Sequence, residues 1–317
     1  MTLPFVSLDL MKSWDVAVVG SLNMDLVVES PRFARPGETL LGGPFTTASG
    51  GKGLNQALAA ARQGAQTRLV GSIGDDGHGQ TLRAVAVADG IDDDGVVERP
   101  GTASGVALIT VEPSGQNTII VAPGANALTS TSQVTGDESI ERATILLVQL
   151  EVPIDTVHLA LSRARAAGRR TILNPAPAAS LSNELLACCD LVVPNETEAA
   201  LLTGIATDDL AGAESAARAL LARGASAVVV TLGARGALYV DADEHFLVAP
   251  FAVDAIDATA AGDAFCGTLA ASLAEGLAMR NSLCRAAAAG ALATTVRGAS
   301  PSLPTRDAVD RLVASAD

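Results

Sequence analysis

The sequence predicts an α/β fold: a doubly wound, mainly parallel sheet with helices on both faces, plus a small β-sheet lid. Three observations carry this. Short apolar runs closed by glycine or a polar residue, such as Val16 to Val19 and Ile145 to Leu150, have the unbroken apolarity of strands buried on both faces. These runs alternate with helical patterns, as βαβ units do. Short strands in two stretches, about 24–48 and 97–122, stand outside the alternation and read as a separate small sheet, a lid or dimer surface.

Length and composition fit one domain. The 317 residues suffice for a single large core, assigned to 15–317. Residues 1–14 are expected to be a disordered N-terminal extension, with Met11 a candidate true start. Hydrophobic residues make up 49% and aromatics only 3%, so the core is expected to be Ala, Val and Leu. A net charge of −14, with no basic run longer than Arg169-Arg170, argues against a nucleic-acid partner. No apolar run is long enough to span a bilayer, and no signal-peptide pattern opens the chain, so no membrane partner is expected. Cysteines 188, 189, 266 and 284 lack C-x-x-C spacing and suit the reduced thiols of a cytoplasmic enzyme. The three histidines are too scattered for a zinc site.

Taken in order, Val16 to Val19 is the first buried strand, stopped by Gly20. Asn23 and Asp25 are two apart, so an extended backbone points both to one side. That side faces the crevice beyond strand carboxyl ends, where α/β sheets bind ligands; a turn Asn and a solvated Asp are the plain alternative. Short strands are expected at Thr39 to Leu41 and Phe45 to Thr47. Gly50-Gly51-Lys52-Gly53-Leu54-Asn55 then opens an alanine-rich helix that Gly64 stops. It is no P-loop, because Thr46 and Gly53 stand where that motif needs Gly and Ser or Thr. Its glycines expose main chain to a polyhydroxylated ligand, with Lys52 and Asn55 adding charge and an amide. A simple glycine turn accounts for the pattern equally well.

Thr67 to Val70 reads as a strand, Gly79 to Ala88 as a helix, and Asp92-Asp93-Asp94 as a solvated turn. Ile145 to Leu150 is a buried strand that delivers Glu151 to the same crevice, and Pro153 starts the next helix. Thr171 to Leu173 leads to the rigid turn Asn174-Pro-Ala-Pro-Ala178, and Leu191 to Val193 to a helix opening at Asn195-Glu196-Thr197-Glu198. Asn195 and Glu198 share a helical face, and their oxygens suit Mg²⁺ directly or through water. As N-cap and N3 they also make a capping box, the commoner role of such a pair. Ala227 to Thr231 is a strand ending in Gly233-Ala-Arg-Gly236, and a hairpin runs through Val240 and Phe246 to Val248. Helices over 262–277 and 281–296, and a tail helix from Thr305, close the chain.

The stretch Asp257-Ala-Thr259-Ala260-Ala261-Gly262-Asp263 puts small residues and an aspartate at a helix start. Unpaired amides and the positive end of the macrodipole favour a phosphate there. Asp263 adds a proton acceptor beside it, the pair that phosphoryl transfer to a hydroxyl needs. An ordinary acidic helix start is the bland reading of this segment alone.

Together these segments resemble the ribokinase-like (PfkB) family of carbohydrate kinases, from about Val16 to Pro304. Both family signatures are present, Gly50 to Ala57 and Asp257 to Gly267, and Gly20-Ser-Leu-Asn-Met-Asp25, Asn174 to Ala178, Pro194 to Glu198 and Gly298 to Ser302 also fit the family pattern. The resemblance implies ATP-dependent phosphorylation of D-ribose at O5, with a related sugar (deoxyribose, fructose-type) or a nucleoside as rival substrates. A non-catalytic sugar-binding protein is a distant alternative. It implies a pentose pocket of Asn23, Asp25, Gly51, Lys52, Asn55 and Glu151, with Asp263 as base and Ala260, Ala261 and Gly262 as anion hole. Asn195, Thr231, Gly233, Gly236, Gly262 and Ala287 would lie along the nucleotide, Ala287 replacing a residue that is often polar in relatives. Glu198 would order Mg²⁺ through water. Asp257, Thr259, Ala293, Val296, Gly298 and Ser302 would surround K⁺, several through backbone carbonyls. A homodimer through the lid is also implied.

Overall fold

The computed structural model describes residues 13–316. Among these, the strands in chain order are β1 (Val16–Val19), β2 (Asn23–Glu29), β3 (Phe45–Gly50), β4 (Thr67–Gly74), β5 (Asp92–Arg99), β6 (Gly105–Val111), β7 (Asn117–Ala122), β8 (Ile145–Val148), β9 (Arg170–Leu173), β10 (Leu191–Val192), β11 (Val228–Thr231), β12 (Ala237–Val240) and β13 (His245–Val248). Nine form one sheet in the order β13-β12-β11-β10-β9-β8-β1-β4-β5. Its pairings are parallel from β11 through β5, and the β11–β12 and β12–β13 hairpins add an antiparallel edge. The other four make a small sheet, β3-β2-β6-β7, parallel only between β2 and β6.

The unbroken apolarity of the central strands has the expected cause. In β1, Val16 and Val18 enter one core while Ala17 and Val19 enter the other; β8 divides likewise, Ile145 and Leu147 against Leu146 and Val148. The first core is closed by the Lys52–Arg62 and Ala261–Ala274 helices through Leu54, Leu58, Phe265 and Leu269, the second by the Ile154–Ala166 and Leu210–Ala222 helices through Val157, Leu161, Ala216 and Leu220. Helices therefore cover both faces of the sheet.

Several expectations need correcting. Thr39 to Leu41 is not a strand: Leu41 is 93% exposed, and the preceding loop is organised by the Arg32–Glu38 ion pair instead of a sheet edge. Asp92-Asp93-Asp94 is not a turn but the start of β5. Parallel pairing with β4 sets Asp92 opposite Arg68, which binds it at 2.8 Å, so the charge that suggested a turn is neutralised within the sheet. Residues 97–99, placed in the lid, end that same strand of the main sheet. Trp14 is no extension residue: it is buried, and its indole donates to Asp92 at 2.8 Å. The remainder of the expected extension, residues 1–12, lies outside the described residues.

Candidate active site

The strand order reverses at β1, with β4 and β5 on one side and β8 to β11 on the other. Such a switch opens a crevice at the carboxyl ends of the diverging strands. The residues that follow β1 and β8 close it from both sides. Ser21 donates to Glu151 Oε2 at 2.5 Å, and the Lys52 N–H reaches the same oxygen at 3.1 Å. Asn23 Nδ2 approaches it at 3.4 Å, while Asn23 Oδ1 accepts from Asn126 at 2.7 Å. Asp25 lies next along β2, with its carboxylate over Gly50: a Cβ there would come within 2.5 Å of Asp25 Oδ2. Gly51 has φ +89°, and a Cβ would sit 2.6 Å from the Asn23 nitrogen, so glycine meets both a conformational and a spatial demand.

Asp263 reaches this cluster from the opposite helix. The turn before it is unusual, because Ala260 is the single non-glycine residue at positive φ (60°) among the described residues. That left-handed residue starts the Ala261–Ala274 helix, whose first amides have no intrahelical acceptor. A Cβ on Gly262 would meet nothing within 4 Å, so the helix start faces open space. Asp263 itself is 6% exposed, and amides hold both its oxygens: Asn55 Nδ2 donates to Oδ2 at 3.0 Å and Gln56 Nε2 to Oδ1 at 2.9 Å. One carboxylate thus joins the cluster at the switch point to a cleft of about 170 Å³. The polar wall of the cleft is Lys52, Asn174, Asn195, Glu198, Thr231 and Asp263, and small or apolar residues including Ala258, Ala260 and Gly262 line the rest with Cys266.

Three carboxylates around one lysine set the electrostatics. Burial, then Glu151 and Asp263, push the Asp25 carboxyl up to about 7. Burial works against the Lys52 charge, but Asp263, Glu151 and Glu198 together outweigh it and raise the pKa. Burial also raises Glu198 and, more strongly, the Cys266 thiol, which is no nucleophile in this state.

Asn195 and Glu198 form the full capping box of the Glu196–Thr203 helix, with both bonds at 2.8 Å, and still line the cleft. The capping bonds therefore leave both residues on the cleft wall. Asn195 also bridges to Thr231 across the strand ends. Gly233 and Gly236 lie in the turn beyond β11, and Ala287 is half-buried against the first core; none of the three walls the cleft. Asp257 draws the last expected group together, accepting from Thr259 N (2.9 Å) and Oγ1 (2.6 Å) and from Gly298 N (2.9 Å). Val296 N bonds Ala293 O, and Ser302 Oγ bonds Ala299 O. Among the described residues no cluster of His, Cys, Asp and Glu forms a direct metal cage. Residue-by-residue reading gave no role to Gln56, Gln149, Asn126, Asn174 or Cys266. For Gln149 a signal existed: it is a polar residue closing an otherwise apolar strand.

Comparison with known proteins gives the family and the fold. The family that matches is described as pfkB family carbohydrate kinase, over residues 14–306. A ribokinase of Haemophilus influenzae is 40% identical over 292 residues, covering 92% of this chain and 95% of its own. The bifunctional ribokinase/ribose-5-phosphate isomerase A of Fructilactobacillus sanfranciscensis is 41% identical over 297 residues, and the chain spans 55% of that longer protein. Among solved structures, Arabidopsis thaliana ribokinase complexed with ribose and ATP superposes with a TM-score of 0.88 at 32% identity, covering 95% of this chain and 99% of that one. With a family match over nearly its whole length and an aspartate at a helix start beside a polar crevice, the chain belongs to the pfkB family of carbohydrate kinases and is an ATP-dependent sugar kinase.

Proposed function

We propose that the protein transfers the γ-phosphoryl group of ATP to O5 of D-ribose. The observation that carries this reading is the position of Asp263, hydrogen-bonded to Asn55 on the crevice side and walling the cleft of Asn195 and Thr231 on the other. Asn23, Asp25, Lys52, Asn55 and Glu151, with the Gly51 backbone, hold the sugar. The buried Asn55 Oδ1 has no protein partner and suits a sugar hydroxyl. Asp263 accepts the O5 proton. Amides of the 260–262 turn and Lys52 hold the negative charge of a loose transition state, in which positioning and neutralisation dominate.

The donor sets fit the expected ions in different ways. Glu198 is a single carboxylate with one oxygen committed to the Asn195 N–H, which suits Mg²⁺ held through water and substrate phosphates and not a protein cage. Bound there, Mg²⁺ supplies neutralisation of the phosphate oxygens. Asp257, Thr259, Ala293, Val296, Gly298 and Ser302 offer only hard oxygens beside the anion turn, a set that suits K⁺. Association of two copies through the small sheet and residence in the cytoplasm complete the proposal; the first rests on the exposed apolar residues Leu108, Ile119, Ile120 and Val121.

The test is coupled ADP release with ribose, 2-deoxyribose, fructose and adenosine, with and without K⁺. Ribose is expected to give the highest kcat/KM, since a site built around a hydroxyl rejects the analogue lacking it by up to about 10⁴-fold. Asp263→Asn is expected to lower kcat roughly 10²–10⁴-fold while ribose KM changes far less. Equal kcat/KM for ribose and 2-deoxyribose overturns the substrate assignment, and near-normal turnover by the variant overturns the base.

A further inference from the structure

Beneath the crevice runs a row of buried amides that the reaction as described does not use. Gln149, directly after β8, and Gln56, on the Lys52–Arg62 helix, are both fully buried. Gln149 Nε2 donates to Gln56 Oε1 at 2.6 Å. Gln56 Nε2 donates to Asp263 Oδ1 at 2.9 Å and to Asn174 Oδ1 at 3.0 Å, while Asn174 Nδ2 donates to the Val193 carbonyl at 2.9 Å.

We propose that Gln56 and Gln149 are positioning residues for Asp263, forming a directional amide chain that ties the carboxylate to the end of the central sheet. This rests on the reading of Asp263 as the base. The direction of the chain follows from donor and acceptor chemistry. An ionised carboxylate only accepts, and the Asn174 oxygen is held toward Gln56 because its own NH₂ is committed to Val193. Turning the Gln56 amide over would set its oxygen against both acceptors, so its NH₂ must face Asp263 and its oxygen must face Gln149. Gln149 is thereby fixed as a donor, and its own oxygen is left buried with no partner. Leaving a buried acceptor unpaired is costly, and the arrangement accepts this to keep a donor directed at the base.

The surrounding backbone is shaped for the same contact. A Cβ on Gly20 would lie 2.0 Å from Gln149 Oε1, and one on Gly267 would lie 2.4 Å from the Gln56 carbonyl. Both glycines permit an approach that any side chain would block. Asp263 Oδ1 keeps further lone-pair capacity for a substrate proton, so the bond orients the base without consuming it. Losing it leaves the carboxylate held by Asn55 alone, so its orientation toward the substrate proton is less well fixed.

The test uses the full-length enzyme and three measurements: kcat, sugar KM and Tm. Gln56→Leu is expected to lower kcat about 10- to 100-fold, as small misplacements of reacting groups do, with sugar KM within about threefold. Gln149→Leu, which meets Asp263 only through Gln56, is expected to lower kcat by less, again with little change in KM. A Gln56→Leu enzyme with lower Tm but unchanged kcat would show that the amides merely brace the helix, and the inference fails. If Gln56→Leu does not fold, Gln149→Leu decides: a lower kcat at parental KM supports the chain, and a parental kcat overturns it. Asp263→Asn run alongside separates the two claims. An inactive Asp263→Asn with an unaffected Gln56→Leu sinks the positioning role alone, whereas an active Asp263→Asn sinks the base assignment and with it this chain.

Discussion

Asp25 illustrates how a residue's chemistry depends on its neighbours. An isolated aspartate is ionised at neutral pH, but here burial, Glu151 and Asp263 raise its pKa to about 7. The folded protein therefore binds a proton that the unfolded chain has released, between the ordinary carboxylate value and neutrality. Stability linked to this group is present at low pH and is lost as pH rises toward and past 7. Asp25→Asn is accordingly expected to raise the Tm of the sugar-free enzyme at pH 8 while changing it little at pH 4. The effect is on the order of a few kcal/mol at most. Calorimetry at the two pH values checks this, and an equal Tm change at both would show that Asp25 carries no excess proton. The same substitution is expected to raise ribose KM steeply, because one carboxyl oxygen facing the sugar is replaced by an NH₂ that can only donate.

At the scale of elements, the site depends on how closely two helices pack. Gly267 lies one turn beyond Asp263, and a Cβ there would come 2.4 Å from the Gln56 carbonyl and 2.5 Å from the Ala59 Cβ. Gly267→Val is expected to force the Lys52–Arg62 and Ala261–Ala274 helices apart and destabilise the fold by roughly 1–3 kcal/mol through overpacking. It should also lower kcat more than sugar KM, read from thermal melts and steady-state kinetics; a parental Tm would contradict the close approach. Local signals located these helices well: Gly64 past the end of one, small residues and Asp263 at the start of the other, and the Asn195–Glu198 box at a third. They failed where pairing overrides local preference. Asp92 looks like a turn residue until Arg68 lies opposite it, and Thr39 to Leu41 looks like a strand but has no sheet edge to join. The Leu210–Ala222 helix went unnamed, although Asp209 caps it and Ala213, Ala216 and Leu220 form its buried stripe. A stripe built mostly of alanine gives a faint periodic signal.

For the molecule as a whole, the small sheet remains partly uncovered. Leu108 and Ile120, directly opposite each other, are 50% and 69% exposed, while Ile119 and Val121 alternate to the other face. A two-stranded edge with apolar residues on both faces suits a sheet that lies over the sugar on one side and meets a second copy on the other. Under the proposed pairing of two copies, Ile120→Asp is expected to shift dimer toward monomer in light scattering and to raise sugar KM. A monomeric parent would rule the dimer out. The net charge of −14 repels anionic ligands from the bulk surface, so holding nucleotide phosphates falls to local donors, the part proposed for the 260–262 amides and Lys52.

The sequence by itself determined the layers of this protein, because apolar periodicity, glycine stops and helix caps act over a few residues and do not depend on the rest of the chain. It also marked Asn23, Asp25, Lys52, Asn55, Glu151 and Asp263 as polar residues at strand and helix ends. Only the tertiary structure decided that Gln149 and Gln56 stand behind Asp263, that burial and neighbouring carboxylates push Asp25 up to about 7, and that the triple aspartate belongs to a strand. The physical reason is that hydrogen-bond partnership and burial are set by segments brought together from far apart in the chain, such as Gln56 and Asp263 at a separation of 207 residues.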